Sequence, residues 1–420
     1  MAATNIHWLY SNDSNAACDG PTLREVIENG CKRIDLGAAV LPKPLLERDC
    51  EIDPDNIEET TYAVVLRNEM NAVVVEHHLK WGPLCHDLPG PLEPGSPSER
   101  IGRYDFHHAD LIVDWAIRND MKVKGHVLCW HVTTPSYVNE MSADQVRVQL
   151  KRHIFTTMGH YRGRIMICDV VNEALAPDGS LADNVFLRKL GPTYIEQCFR
   201  WAHECDPTCM LLYNDNKVEG IGYPKSEAFY RLLAELKHRR VPIHGCGIQA
   251  HFNAAGVGQS RCPTPRMVKE QIKRLGQLDL KVNISEMDVR VSKLPPNLRQ
   301  LAQKQIYHDI LAAALTEPAL DGIWLWGFTD RHTWVSNFYY DDEPLVFDED
   351  YGRKEAYYSL RDALTTMSMG GTVGGNVLLD SDEDDQGRQW GHTWMQPEPD
   401  QVESEELSGD AKPDWEQASS

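Results

Sequence analysis

No stretch of the chain approaches the roughly 18 consecutive apolar residues that a helix needs to cross a bilayer, so no membrane span or membrane partner is expected. The opening MAATNIHWLYSNDSNAACDG lacks the basic flank and apolar core of a secretion signal, and on sequence alone the expected location is cytoplasmic. Positive charge is scarce: 42 Lys and Arg stand against 63 Asp and Glu, a formal charge of -21. Such a surface repels phosphate backbones, and nucleic acid is not an expected partner. The imbalance is uneven, because Asp380 to Ser420 holds 13 acids and 2 bases, net -11, which leaves -10 for the first 379 residues. Eleven cysteines occur without any CxxC pair, and Cys129, Cys168 and Cys246 lie inside apolar runs. They read as free buried thiols in a reducing compartment.

What is present is a rhythm. At 420 residues and 42% hydrophobic, the chain can close a large core without a disulfide or metal staple. Eight short apolar runs recur at a spacing of about 35 to 50 residues. They are LGAAV (36-40), NAVVVE (71-76), KVKGHVLCWH (122-131), IMICDVVNE (165-173), MLLYND (210-215), IHGCGIQAH (243-251), KVNISE (281-286) and GIWLWG (322-327). Between them lie amphipathic stretches such as 107-120 and 226-240 with apolar residues at helical spacing. Strand then helix, eight times, predicts an α/β fold: a (β/α)8 TIM barrel over residues 31-365. Residues 1-30 read as an irregular extension, and 366-420 as an acidic low-complexity tail too polar to order itself.

Barrels of this kind build their sites from the loops after the C-terminal strand ends. The polar residues there are Glu76 and Lys80, His126 and Trp130, Asn172 and Glu173, Asn214 and Asp215, Gln249 and His251, Glu286 and Asp288, and Trp326. One such residue at a strand end is ordinarily just solvated; a whole set converging on one mouth is not. Glu173 and Glu286 close the fourth and seventh runs and would face each other across the cavity. Hydrolysis of a glycosidic bond needs such a pair, one carboxylic acid to protonate the departing oxygen and one carboxylate to attack or to activate water.

The runs DVVNEAL (169-175) and ISEMDVR (284-290) resemble the acid/base and nucleophile signatures of glycoside hydrolase family 10, the endo-1,4-β-xylanases. Further matches follow in order: VVVEHHLKW (73-81), GHVLCWH (125-131), LLYND (211-215), GIQAH (247-251), LWGFTDRHTW (325-334) and PLVFDEDYGRKEAY (344-357). The resemblance implies a monomer that cleaves xylan by double displacement, retaining anomeric configuration and needing neither cofactor nor metal, in a family whose members are commonly secreted. Glu173 would be the acid/base, protonated at the outset, and Glu286 the ionised nucleophile. Asn172 would bond the sugar 2-hydroxyl, His251 backed by Asp288 would orient Glu286, and Gln249 would point to the same mouth. Glu76, Lys80 and His126 would grip the neighbouring sugar, and Trp130, Trp326 and Trp334 would face it. Trp81 and Trp324 read as packing; because Trp324 and Trp326 lie on one strand, only one of them is expected to reach sugar.

Four positions depart from the family pattern: His77 for Asn, Thr133 for Gln, Asn216 for Tyr and Glu355 for Pro. The first three touch sugar contacts and leave fine specificity open; none removes either glutamate. The proline-rich segment 85-100 is either a cleft wall or an inert insertion. Two rivals are a metal-dependent barrel using His77, His78, His126, His131 and His251, and a carbohydrate-binding relative without catalysis. The first lacks the HxH pair such barrels carry on their first strand. Within the glycosidases, a cellulase or mannanase on the same barrel is the nearest competitor.

Overall fold

The computed structural model describes residues 20-30, 33-46, 60-85, 104-256, 262-338 and 341-368. Its strands are β1 (Asp35–Val40), β2 (Ala72–Val75), β3 (Lys122–Cys129), β4 (Ile167–Asn172), β5 (Met210–Asp215), β6 (Gly245–Ile248), β7 (His251–Asn253), β8 (Lys281–Arg290) and β9 (Leu320–Leu325). Each pairs in parallel with its neighbour, β6 crosses directly to β8, and β9 returns to β1. The sheet is thus a closed eight-stranded barrel with helices outside it. The ninth strand, β7, is the end of the sixth run. Ala250 adopts a left-handed φ of 68°, which breaks that run before β7 resumes alongside the outer half of β8.

These strands are buried on both faces, which is why they read as near-continuous apolar runs rather than alternating ones. Val73 and Val75 pack outward under the helices, whereas Ala72 and Val74 join Ala39, Ile167, Leu212, Trp324 and Trp326 inside the barrel. The helix His107–Arg118 turns Ala109, Ile112, Val113 and Ala116 to the core. Pro224–His238, Pro265–Gly276 and Pro296–Leu315 all open on proline, whose fixed φ and missing N–H suit a first turn.

Three expectations are corrected. Of Trp324 and Trp326, one is expected to face into the barrel and the other toward the helices or the mouth; both share the inner face, because residues two apart on a strand point the same way, with Trp326 at its mouth end beside His126 and Lys80. The extension 1-30 is not wholly irregular: Leu23–Glu28 is a helix closed by a capping box between Thr22 and Glu25. The Leu23 amide donates to the buried carboxylate of Glu69, which also accepts from Arg353 and the Tyr357 hydroxyl. At the other end the last helix, Glu355–Ser368, runs past the expected boundary at 365. Most of segments 1-30 and 85-100 and nearly all of the tail lie outside the described residues. The eight described cysteines are free, seven of them buried. No described helix is long and apolar enough to cross a membrane.

Candidate active site

Glu173 follows β4 in the left-handed region, φ 52°, a conformation uncommon outside glycine. Its amide donates to the Asn214 carbonyl at 3.0 Å, which fixes the turn against β5. Its carboxylate accepts from the Trp130 indole and from the Gln249 amide, both at 2.9 Å. Glu286, on β8, accepts from Asn214 Nδ2 at 2.5 Å and meets His251 Nε2 at 3.2 Å. Asn172 Oδ1 lies between the two arms, accepting from Asn214 at 2.9 Å and from Gln249 at 3.3 Å. One hydrogen-bonded belt therefore runs Glu173, Gln249, Asn172, Asn214, Glu286 across four consecutive strands of the barrel.

A glycine makes the belt possible. A Cβ at Gly247, on β6, would overlap the Asn214 carboxamide and crowd Ser285, whose hydroxyl donates to Asn214 Oδ1 at 2.6 Å. That bond orients the amide so that its Nδ2 faces Glu286.

His251 is clamped: Nδ1 lies 2.7 Å from Asp288 Oδ2, which also accepts from the Trp334 indole at 2.8 Å. Burial opposes charge on this ring, but Asp288 and Glu286 outweigh it and raise its pKa to about 10. His251 is an imidazolium at neutral pH, set between two carboxylates. On the opposite wall His126 Nδ1 lies 2.9 Å from Asp169, which also pairs with the fully buried Lys124 at 3.0 Å. The Lys80 ammonium is 4.9 Å from the Trp130 ring centre and 5.8 Å from that of Trp326. The edge of Trp326 meets His126 at 5.1 Å, and Trp334 lies 5.0 Å from His251. The residues singled out in the sequence thus stand at one mouth or in the hydrogen bonds just beneath it, Asp215 excepted. Trp81 instead stacks on His153 in the core.

The carboxyls are tuned differently from expectation. Burial works to raise Glu173, but the Gln249 amide, the Lys225 ammonium and the Trp130 indole together hold it below the ordinary value. These donors favour the carboxylate form of Glu173, whereas the protonated acid is the form expected at the outset. Glu76, by contrast, is raised: burial, opposed by Lys80 and reinforced by Glu286, brings it to about 7. Burial also depresses Lys80, and takes His77 down to about 2.

Sequence reasoning missed Lys124, Asp169, Lys225 and the linking role of Asn214. The first three were legible in principle, since a charge inside an apolar run or on a packed helix face must find a partner. Asp215 turns away from the mouth and binds Lys225 at 2.7 Å, and Asn216 accepts from the same ammonium. Among the described residues, no group of three or more His, Cys, Asp or Glu is arranged to hold a metal ion.

Comparison with known proteins points the same way. The model of "Glycosyl hydrolase family 10" matches residues 43–363. A beta-1,4-xylanase of Dictyoglomus thermophilum is 35% identical over 321 residues, 71% of this chain and 83% of the relative. The crystal structure of native xylanase 10B from Thermotoga maritima superposes with a TM-score of 0.72 at 31% identity, covering 83% of this chain and 99% of that one. Xylanase 10B from Thermotoga petrophila, solved in complex with xylobiose, gives 0.70 at 32%, over 82% and 97%. With the barrel, the paired glutamates and a family match over most of its length, the chain belongs to glycosyl hydrolase family 10 and is a glycoside hydrolase.

Proposed function

We propose that the chain is a retaining endo-β-1,4-xylanase in which Glu286 is the nucleophile and Glu173 the acid/base. The observation that carries the reading is the belt joining the two carboxylates, which holds one under an imidazolium and the other among neutral donors. The names of the relatives, beta-1,4-xylanase and xylanase 10B, support the substrate.

Glu286 attacks the anomeric carbon while its second oxygen stays on His251, and Asn214 keeps the attacking carboxylate aimed. Glu173 protonates the departing oxygen. A glycosidic oxygen entering between Trp130 and Gln249 puts an acceptor beside Glu173, and an acceptor favours the protonated carboxyl. Once the covalent glycosyl-enzyme has formed, Glu173 is again a carboxylate and takes a proton from incoming water, whose oxygen bonds to the anomeric carbon as the ester to Glu286 breaks and frees that carboxylate. Asn172 meets the sugar 2-hydroxyl, a contact that strengthens as positive charge grows on the ring. Glu76, Lys80 and His126 bind hydroxyls of the adjoining sugar, and Trp130, Trp326 and Trp334 offer apolar faces to its C–H surface.

The test is reducing-sugar release from xylan, carboxymethyl cellulose and mannan in parallel. Xylan should be the preferred substrate. Glu286→Ala should abolish turnover and Glu173→Ala should lower it roughly 10²- to 10⁴-fold on xylan. Preference for cellulose or mannan would move the substrate to another β-glycan; full xylan turnover in either variant would remove the mechanism.

A further inference from the structure

Behind Glu173 lies a buried ion pair for which the reaction above has no use. Lys225, in the first turn of the helix Pro224–His238, is 5% exposed, and its ammonium is 2.7 Å from both Asp215 Oδ1 and Asn216 Oδ1. Asp215 is fully buried; its other oxygen accepts from the Tyr213 hydroxyl at 2.5 Å. That hydroxyl in turn accepts from the amide of Ala174 at 3.2 Å, one residue beyond Glu173. A continuous relay, Lys225, Asp215, Tyr213, Ala174, thus ties the helix after β5 to the strained turn that carries the acid/base.

We infer that Lys225 and Asp215 are positioning residues of opposite sign, which together hold the Glu173 turn and set how readily Glu173 keeps its proton. The inference rests on Glu173 being the acid/base. The physics is direct. A cation and an anion fixed in a low-dielectric interior act on the nearby carboxyl in opposite senses, and neither can be removed without exposing the other. Lys225 is the largest full charge pulling Glu173 down, and Glu173 in turn pushes Asp215 up, so the three groups sense one another; His131, Lys217 and Lys80 also face Glu173 from other segments and are unchanged in every variant below. A pair that served only to fix the turn, too screened to act on Glu173, would leave the proton affinity of Glu173 the same in every folded variant.

The experiment is the pH profile of kcat/KM on an aryl β-xylobioside with a poor phenol leaving group, for Lys225→Met, Lys225→Arg and Asp215→Asn. Lys225→Met should move the limb at which activity falls with rising pH upward by about half a unit to one unit, and Asp215→Asn should move it downward by a similar amount. Lys225→Arg, which keeps the charge, should leave it in place. Shifts in the same direction, or none in variants that stay folded, would overturn the inference. If Lys225→Met does not fold, the downward shift in Asp215→Asn decides alone. Glu173→Ala separates the two levels. On a substrate with an acidic phenol, which needs no protonation, that limb should vanish and azide should restore turnover. A limb that persists in Glu173→Ala overturns the acid/base reading itself, whereas a limb that vanishes there but ignores Lys225 and Asp215 overturns only the relay.

Discussion

The His251 imidazole owes its charge to neighbours: isolated burial would discharge it, and Asp288 and Glu286 reverse that outcome. Asp288→Asn removes the stronger of the two carboxylates and leaves Glu286, so the pKa of the ring should fall, and ring-nitrogen NMR across a pH series should find the imidazolium lost at lower pH in the variant than in the parent protein. Because the folded pKa, about 10, lies above the ordinary 6.5, the stabilisation it brings is complete below about pH 6.5 and is lost as pH rises toward 10. In the variant that component of the alkaline fall in thermal midpoint should be smaller and should set in at lower pH. Glu173, Glu286 and His251 were legible in sequence because each ends an apolar run, and a strand end in a barrel has one place to point. Their protonation was not. Trp130, Gln249 and Lys225 reach Glu173 from three other segments, and proton affinity depends on such distant donors, not on the local NEA motif.

Among elements, β6 illustrates how little of a strand need be side chain. Gly247 leaves room on its inner face for Asn214 of β5 and Ser285 of β8 to meet across it. Gly247→Ala should push the Asn214 amide off Glu286 and cut kcat by roughly 10²-fold, since an error near 1 Å in a reacting group costs about that much. Steady-state kinetics with a parallel melt checks this; a kcat within twofold of the parent would exclude it. The eight runs identified the eight barrel strands because both faces are buried and the apolar signal is continuous. The break at Ala250 was invisible, since a left-handed residue that is not glycine carries no compositional mark. The helix Leu23–Glu28 escaped for another reason: six residues hold less than two turns, too few for a period to register, although Thr22 and Glu25 spell a capping box.

For the molecule as a whole, Glu69 joins what the chain order separates. It ends the helix Thr61–Glu69 and accepts at once from the first described helix, through Leu23, and from the closing segment, through Arg353 and Tyr357. Glu69→Ala takes a buried carboxylate partner from the part-buried Arg353 guanidinium, the Tyr357 hydroxyl and the Leu23 amide, a loss of roughly 3 kcal/mol at the low end of broken buried pairs. The thermal midpoint should fall by roughly 5–10 °C, measured by calorimetry, while kcat of the folded fraction stays near the parent value. The closed barrel was legible from the strand rhythm, but this clasp was not, because its partners lie more than 280 positions apart. The tryptophan pair of β9 has a consequence for traffic. Trp324 and Trp326, with Ala39, Ala72, Val74, Ile167 and Leu212, fill the barrel from within. Nothing sugar-sized threads its axis, so substrate comes to the glutamates, and each fragment departs, by the same door.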